Sequence, residues 1–556
     1  MTDQHADEGG AERIVSGLVT GLDERGHDVA LFTARNSPDA PELPSRVKLR
    51  VVPWAGEGDK PDPNAPSRVV EAAEAFAPDV VHLHSIFDAG VVDVLRARWP
   101  TVWTCHDHRS HCPNGDRRYP RSGGICSLAM GAACVRKSLT QGCVAGPRLR
   151  TLTELRNRER LFASLLRVDR IGAPSRCVAK LLATNGTPGS RVVQAPLFTP
   201  FADTTLEESP DRSGERVLFV GRLVPQKGIN DILWLGARLA RDRPNASLQI
   251  AGDGPERGKV DSAAAAGQVR PLGKLDRDAL ARAYAAANVV VVTPRWLDPF
   301  PVVGLEAGAF GLPVVAYALG GIGELVEDGR SGLLVPPGDR EALWRAVERL
   351  LRDPGLAAEM GRHGREVVRV AFRPKIALAA AESLYEEARV ARGGVRSIPK
   401  PRIENFRAGL DERRFALALE VRIAVFVREQ DVPLEAELDS HDRDDPTCLH
   451  VIVIAQGGRG VATGRIFDER PEVGRVGRMA VLPAFRGVGI GMQILEALLA
   501  EAGRRGHRQV VLDAQTHAIE FYRRRGFMAE GQPFDDCGIS HQLMRLKLRD
   551  VEGTSA

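Results

Sequence analysis

Arg222 and Lys227 lie in Gly221-Arg222-Leu223-Val224-Pro225-Gln226-Lys227-Gly228, directly after an apolar run that ends at Val220. Two cations above a strand end suit a pyrophosphate, whose charge grows as it leaves a sugar. The plainer alternative is a solvated basic loop. Gly252, in Ala251-Gly252-Asp253-Gly254-Pro255, also follows a strand pattern, and fits a tight turn near a ligand or an ordinary strand-to-helix connection. Asp298 and Glu306 are carboxylates within Asp298–Ala307, able to accept hydrogen bonds from ribose or sugar hydroxyls. Gly9 and Gly10 precede an amphipathic helix, where the backbone can approach a ligand and the helix start offers free N–H groups to an anion. Much later, Arg486-Gly487-Val488-Gly489-Ile490-Gly491 follows a strand ending near Leu482 and opens another helix, a second pocket of N–H groups suited to a pyrophosphate or simply a tight turn.

A different chemistry is carried by cysteine. Five of the eight cysteines fall between Cys105 and Cys143. Cys112, Cys126, Cys134 and Cys143 sit in a Gly/Ser-rich stretch, and four thiolates could hold a structural zinc, with His106, His108 and His111 as alternative ligands. Free or disulfide-linked cysteines are the competing reading, and an iron–sulfur cluster a further one. Cys105 reads as packing at a strand end.

These residues need elements to hold them. Over the first two-thirds, short β-branched runs alternate with longer Ala/Leu/Arg stretches. Strands are expected at Val29–Thr33, Asp79–Leu83, Thr101–Thr104, Arg170–Gly172 and Arg191–Gln194, and a second series from Arg216–Val220 to Gly332–Val335. Parallel sheets covered by helices follow from that alternation. Thr199–Glu215 reads as a connection between two such domains, and a cleft between them would be lined by strand carboxyl ends. Ala391–Pro401, rich in Arg, Gly and Pro, reads as a linker. Beyond it the pattern becomes that of an α+β domain: a helix over Glu412–Val427, strands at Leu449–Ala455, Gly460–Phe467 and Arg475–Val481, a helix at Ile490–Ala500, and a closing strand near Gln542–Leu546. The expected domains are 1–200, 201–390 and 402–556, with 391–401 as linker.

Composition narrows the setting. The 556 residues exceed one compact core. With 43% apolar and 27% charged residues and a formal charge of +4, the chain reads as an ordinary globular protein and not as a coat for nucleic acid. No apolar run approaches bilayer-crossing length, and Met1–Gly10 lacks a signal-peptide core. A cytoplasmic enzyme is expected, the inner membrane surface being the alternative location. The basic stretch Arg148, Arg150, Arg156, Arg158 and Arg160 could meet anionic headgroups or be a solvated helix face. The sequence carries no signal for an oligomeric state.

Taken in order, Gly221–Gly228, Gly252–Pro255, Asp298–Glu306 and Gly320–Asp339 resemble the signature set of the retaining glycosyltransferases of family 4, across about Gly9 to Tyr385. The resemblance implies the GT-B architecture of two facing Rossmann-like domains, a nucleotide-sugar donor, and retention at the anomeric carbon. It implies that Arg222 and Lys227 bind donor phosphates, that Glu306 holds the ribose, that Asp298 with Pro299–Gly304 lies over the sugar, and that His106 is the cleft histidine. The acceptor is expected to be a small molecule, a glycan or a lipid-linked hydroxyl. Two departures stand out. Asp298 occupies a position where the family usually has Glu. The family also begins with a buried strand before the Gly-Gly turn, and Met1–Glu8 is too short and polar to be that strand, so a misplaced start is the expectation.

The last part resembles the GNAT acyltransferases over about Ile403–Leu548, through Arg486–Gly491, Ala514-Gln515 and Phe521–Phe527. Val427–Gln430, Glu437–Asp439, Ala514-Gln515 and Gly538–His541 are similar to the ElaA-like branch. That implies acetyl-CoA or another acyl-CoA, with pyrophosphate at Arg486, Gly487, Gly489 and Gly491, Gln515 at the same cofactor, and the thioester beside Met479–Val481. Tyr522 is then the expected general acid for the CoA thiolate, a phenol being able to donate a proton. Glu429 is the leading base or amine-positioning residue, ahead of Asp439, His450 and His541. The chain thus reads as a sugar transferase joined to an N-acyltransferase. The alternative is one catalytic domain with the other as a nucleotide-sugar- or CoA-binding regulatory module.

Overall fold

The computed structural model describes residues 1–6, 10–56, 62–144, 148–195, 197–202, 212, 214–393, 402–442, 445–455 and 459–548. The chain divides into two compact units, Met1–Gly393 and Gly394–Ala556. Gly9 and most of the expected linker, 394–401, lie outside the described residues, as do 203–211 of the expected inter-domain connection. The start of that connection is core rather than tether, since Thr199, Phe201 and Ala202 are all buried. No helix among the described residues is long and apolar enough to cross a membrane.

The first unit contains two parallel sheet systems. In the first, β1 (Thr2–His5), β2 (Ala30–Asn36) and β3 (Lys48–Val51) pair in the order β1-β2-β3, and β4 (Val81–Leu83), β5 (Thr101–Thr104), β6 (Arg170–Ala173) and β7 (Val192–Gln194) in the order β4-β5-β6-β7. The polar N-terminal segment, read from sequence as unable to form the first strand, does form one. It pairs in parallel with β2, and on its other side the His84 N–H donates to Met1 O at 2.9 Å and the Asp3 N–H to Ser85 O at 2.7 Å. Buried backbone needs partners more than it needs apolar side chains, and two of the buried side chains here are also hydrogen-bonded. Asp3 accepts from Trp54 Nε1 at 2.7 Å, and His5 Nδ1 meets Asn36 Oδ1 at 2.9 Å.

The second sheet holds β8 (Glu215–Val220), β9 (Ala246–Ala251), β10 (Arg270–Gly273), β11 (Val289–Val292), β12 (Val314–Tyr317) and β13 (Gly332–Val335), all parallel in the order β10-β9-β8-β11-β12-β13. Every residue of β11 and β12 is buried, as expected for central strands covered on both faces by helices. The helix Pro374–Ala391 returns to the first sheet. Tyr385 OH meets His82 Nδ1 at 2.9 Å, and Glu387 accepts from Arg170 at 3.0 Å.

The second unit is one mixed sheet of β14 (Arg402–Phe406), β15 (Leu449–Ile454), β16 (Gly460–Arg470), β17 (Val473–Val481), β18 (Gln509–Gln515), β19 (Met528–Asp536) and β20 (Ile539–Lys547), in the order β14-β15-β16-β17-β18-β20-β19. Only β17 and β18 run parallel, and they pair only over Val473–Arg475 and Gln509–Val511. Beyond Arg475 they part, so the later half of β17 has its sheet partner on one side alone. A shift in the β16–β17 register and a left-handed Arg478 (φ 52°) mark a bulge at that point. The helix expected to reach Val427 ends as an α-helix at Arg422, and the chain continues as a π-helical turn, Ile423–Glu429.

Candidate functional site

In the first unit the two sheets meet across a set of named contacts. Arg222 is exposed and has no hydrogen-bond partner among the described residues. Lys227 Nζ donates to Asp298 Oδ2 at 2.6 Å, and Asp298 is buried. The Asp298 loop is held from three directions: Leu297 O receives His108 Nε2 at 2.6 Å, Pro299 O receives the Ser175 hydroxyl at 2.7 Å, and Asp298 O receives the Gly321 N–H at 2.8 Å. Gly320 is required there, because its φ is +76° and a Cβ would come within 2.3 Å of Asp298 O. Gly252 answers to a similar constraint: a Cβ would lie 1.9 Å from Gly221 O, so the two loops above β8 and β9 touch through backbone. Gly10 opens the helix Gly10–Glu24 against this region, with Val302 Cγ2 3.7 Å from where its Cβ would be.

Glu306, on the helix Val302–Ala309, is buried and accepts from Tyr284 OH at 2.6 Å. Burial pushes its carboxyl above the usual range, while the Tyr284 hydrogen bond and the Arg13 charge favour the ionised form. His106 follows β5. Its Nε2 meets His84 Nδ1 at 2.9 Å, and its buried Nδ1 has no hydrogen-bond partner among the described residues. Burial pulls His106 down to about 4, so it is a neutral imidazole near pH 7.

The four cysteines do not form the metal centre read from their spacing. Among the described residues no group of three or more His, Cys, Asp or Glu side chains could hold a metal ion. Cys112, Cys126, Cys134 and Cys143 are free thiols. Cys112 donates to Asn114 Oδ1 at 2.9 Å, and Cys134 Sγ lies 3.8 Å from Ser138 Oγ. Burial pushes the Cys112 thiol up to about 11 and raises those of Cys134 and Cys143. The alternative ligands are also committed elsewhere: His108 serves the Leu297 carbonyl, and His111 bonds to Ser110 Oγ at 3.1 Å. Nor is the basic stretch a uniform solvated face. Arg158 is buried and donates to Arg109 O, while Arg156 and Arg160 are exposed.

In the second unit, Tyr522 OH points at Met479 Sδ, 3.8 Å away, beside the stretch of β17 that has parted from β18. Burial pushes its phenol up to about 12, which keeps it protonated at neutral pH. Gly487 and Gly489 are left-handed (φ 77° and 87°), and Gly489 caps the helix Ile490–Arg504 without a side-chain hydrogen bond. Gly491 stands close to Phe521 and Val481. Arg486 is engaged at the surface: it forms a two-pronged pair with Glu429, both contacts at 2.6 Å, and its Nε donates to Val481 O at 2.9 Å. Gln515 exchanges amide hydrogen bonds with Gln430 at 2.7 and 3.2 Å. The weaker base candidates have other partners. Asp439 pairs with Arg465 and Arg478, His450 is buried beside Cys448, and His541 bonds its neighbour Ile539 O.

Sequence reading passed over several residues at these places. Tyr284 lies in an Ala-rich helix and reads as packing. Glu324 accepts the Arg176 and Cys177 N–H groups at 2.9 and 3.2 Å, tying the second domain to a helix start of the first. In the second unit Arg422, fully buried, binds Asp442 and Glu437. Burial raises the Asp442 carboxyl, and the arginine's hydrogen bonds and charge outweigh that and hold it well below the usual range.

Comparison with known proteins agrees with this division. Residues 8–199 match the family described as Glycosyltransferase Family 4, and residues 206–367 match Glycosyl transferases group 1. Residues 442–548 match an acetyltransferase (GNAT) domain. A D-inositol 3-phosphate glycosyltransferase of Gordonia bronchialis is 30% identical over 408 residues, covering 65% of this chain and 80% of that protein. A glycogen synthase of Mycobacterium tuberculosis is 32% identical over 208 residues, 37% of this chain, and the match spans about half (49%) of its length. The structure of a sucrose-phosphate synthase from Thermosynechococcus elongatus superposes with a TM-score of 0.52 at 24% identity, over 70% of this chain and 96% of that one. That likeness is one of fold.

Proposed function

From a chain that belongs to the group 1 and family 4 glycosyltransferases over its first unit and carries a GNAT domain in its second, we propose a bifunctional transferase. The first unit transfers a sugar from a nucleotide sugar to an acceptor hydroxyl. The second transfers an acyl group, acetyl in the simplest case, from acyl-CoA to an amine. What carries the reading is a buried Asp298 carboxylate on Lys227, an exposed Arg222 on the same loop as that lysine, and a buried Glu306 on the helix that follows Asp298.

In the sugar reaction, Arg222 and Lys227 meet the charge that grows on the leaving diphosphate as its bond to the anomeric carbon breaks. Glu306 accepts from the ribose, and Asp298 and the neutral His106 lie by the sugar. The resemblance favours retention, with the acceptor oxygen entering on the face the diphosphate leaves. In the acyl reaction the amine nitrogen bonds to the thioester carbonyl, the carbon–sulfur bond breaks, and Tyr522 gives its proton to the departing thiolate. Glu429 is the candidate to take the amine proton, and both its oxygens are engaged by Arg486. The similarity to the ElaA-like branch is the finer reading of this domain. The acceptors are a small molecule, a glycan or a lipid-linked compound. Exposed Arg156 and Arg160 are compatible with a peripheral contact to an anionic membrane surface from the cytoplasmic side.

The test is mass spectrometry of products formed by the full chain with panels of nucleotide sugars, acyl-CoAs, hydroxyl acceptors and amines. A glycosyl adduct that disappears in Arg222→Ala plus Lys227→Ala, and an acyl adduct that slows in Tyr522→Phe, are expected. Hydrolysis alone, with no adduct from any combination, overturns the proposal.

A further inference from the structure

Glu306 is an awkward residue to bury. A carboxylate away from water needs compensation, and a carboxylate that must bind a ligand cannot have both oxygens satisfied internally. The fold meets both conditions. Tyr284 OH donates to Oε2 at 2.6 Å, and among the described residues Oε1 accepts no hydrogen bond. Tyr284 is itself fixed. It is fully buried on the helix Arg277–Ala286, stacked on Phe310 with centroids 5.4 Å apart and planes 15° apart, and met edge-on by Phe201 at 6.4 Å. The phenol therefore has no freedom to follow the carboxylate, so the carboxylate must follow the phenol. The Arg13 charge, from the facing domain, favours the ionised form.

We propose that Tyr284 is a positioning residue that pins one oxygen of Glu306 so that the other is presented to the ribose hydroxyls of the nucleotide. This rests on the reading of Glu306 as the ribose ligand. It goes further, because it makes ribose recognition depend on a residue that never touches the nucleotide.

The experiment compares UDP, GDP and ADP with their 2′,3′-dideoxy counterparts, by calorimetric titration of the full chain. Wild type, Glu306→Gln and Tyr284→Phe are measured, with thermal melting as the check on folding. For whichever base binds most tightly, wild type is expected to prefer the ribose form by roughly tenfold or more, the range of a charge-assisted hydrogen bond. Tyr284→Phe keeps the aromatic stack and is expected to lose most of that preference while binding the dideoxy form as wild type does. A merely structural tyrosine would weaken both forms alike, and that result, or an unchanged preference, overturns the proposal. If Tyr284→Phe fails to fold, Phe310→Leu loosens the phenol while leaving its hydroxyl, and is expected to shrink the preference too; an unchanged preference there counts against the proposal. No discrimination by wild type removes the ribose role of Glu306 itself, and the two failures are told apart by the wild-type titration alone.

Discussion

Each unit sets a carboxylate against a cation at a glycine-containing loop above a strand end, and the two do so differently. In the first, Asp298 is buried and holds Lys227, while Arg222 stands exposed five residues before it, with no hydrogen-bond partner among the described residues. In the second, Glu429 and Arg486 are both part-exposed, at 37% and 42% of their side-chain surface, and the loop has no further cation among Gly487–Gly491. The first arrangement keeps a charge in reserve: Lys227 is oriented by its carboxylate and Arg222 is available to an incoming diphosphate. The second commits its single cation, leaving the backbone N–H groups at the start of helix Ile490–Arg504 as the open anion-binding groups. A carboxylate buried in the fold keeps its partner oriented, whereas a pair exposed on both sides opens at little cost.

The largest effect should come from emptying the first loop of charge. Arg222→Ala with Lys227→Ala removes both cations and leaves Asp298 buried without its partner. A loss of donor kcat/KM of at least about a hundredfold is expected, on the scale of charge-assisted phosphate contacts in a low-dielectric cleft. Arg222→Ala alone should cost less and leave thermal stability near wild type, because the side chain is exposed. If the single substitution matches the double one, Lys227 serves only to satisfy Asp298, and the idea of a reserve charge fails.

That loop was legible in the sequence, and so were most strands, because a central parallel strand is a run of β-branched residues bounded by glycine, as in Val289–Val292. The strands that escaped were those without such a run. Thr2–His5 is polar throughout and is held by backbone pairing and by Trp54 and Asn36, contacts that depend on residues 31 to 51 positions away. The edge strand Met528–Asp536 is exposed along almost its whole length and so carries no apolar alternation. The cysteine spacing offered zinc because spacing says nothing of geometry: among the described residues no three ligands group to hold a metal, Cys112 donates to Asn114, and Cys134 lies by Ser138. Partners of site residues were the least legible. Nothing in Ala283-Tyr284-Ala285 announces Glu306, and nothing in Val421-Arg422-Ile423 announces Glu437 and Asp442, because such pairs exist only after the helices pack.

A smaller effect is expected at the thioester. Tyr522→Phe removes the phenol proton beside Met479 and leaves the ring packed against Phe521 and Phe527. Single-turnover acyl transfer should slow by roughly a hundredfold, the lower end of the range for general acid catalysis, with CoA affinity unchanged. Because burial holds the wild-type phenol near 12, its proton remains in place across neutral and mildly alkaline pH. A fall in the wild-type rate near pH 8 that Tyr522→Phe still shows would belong to another group. An equal loss of CoA affinity and rate would make the tyrosine a packing residue.

The smallest effect separates the two loops most directly. Glu429→Gln releases Arg486 without emptying the site. An exposed pair of this kind is worth about 0.2–1 kcal/mol, so freeing the arginine should tighten CoA binding by at most about fivefold, with the gain shrinking as salt screens the phosphate charge. The matching change in the first unit, Asp298→Asn, frees Lys227 but strips a buried cation-orienting carboxylate, and should weaken donor turnover instead of improving affinity. Opposite signs for the two substitutions would mean that Asp298 organises its cation while Glu429 competes for its own. Equal signs would mean that both carboxylates act the same way on their loops, and the contrast between a reserved and a committed cation would be lost.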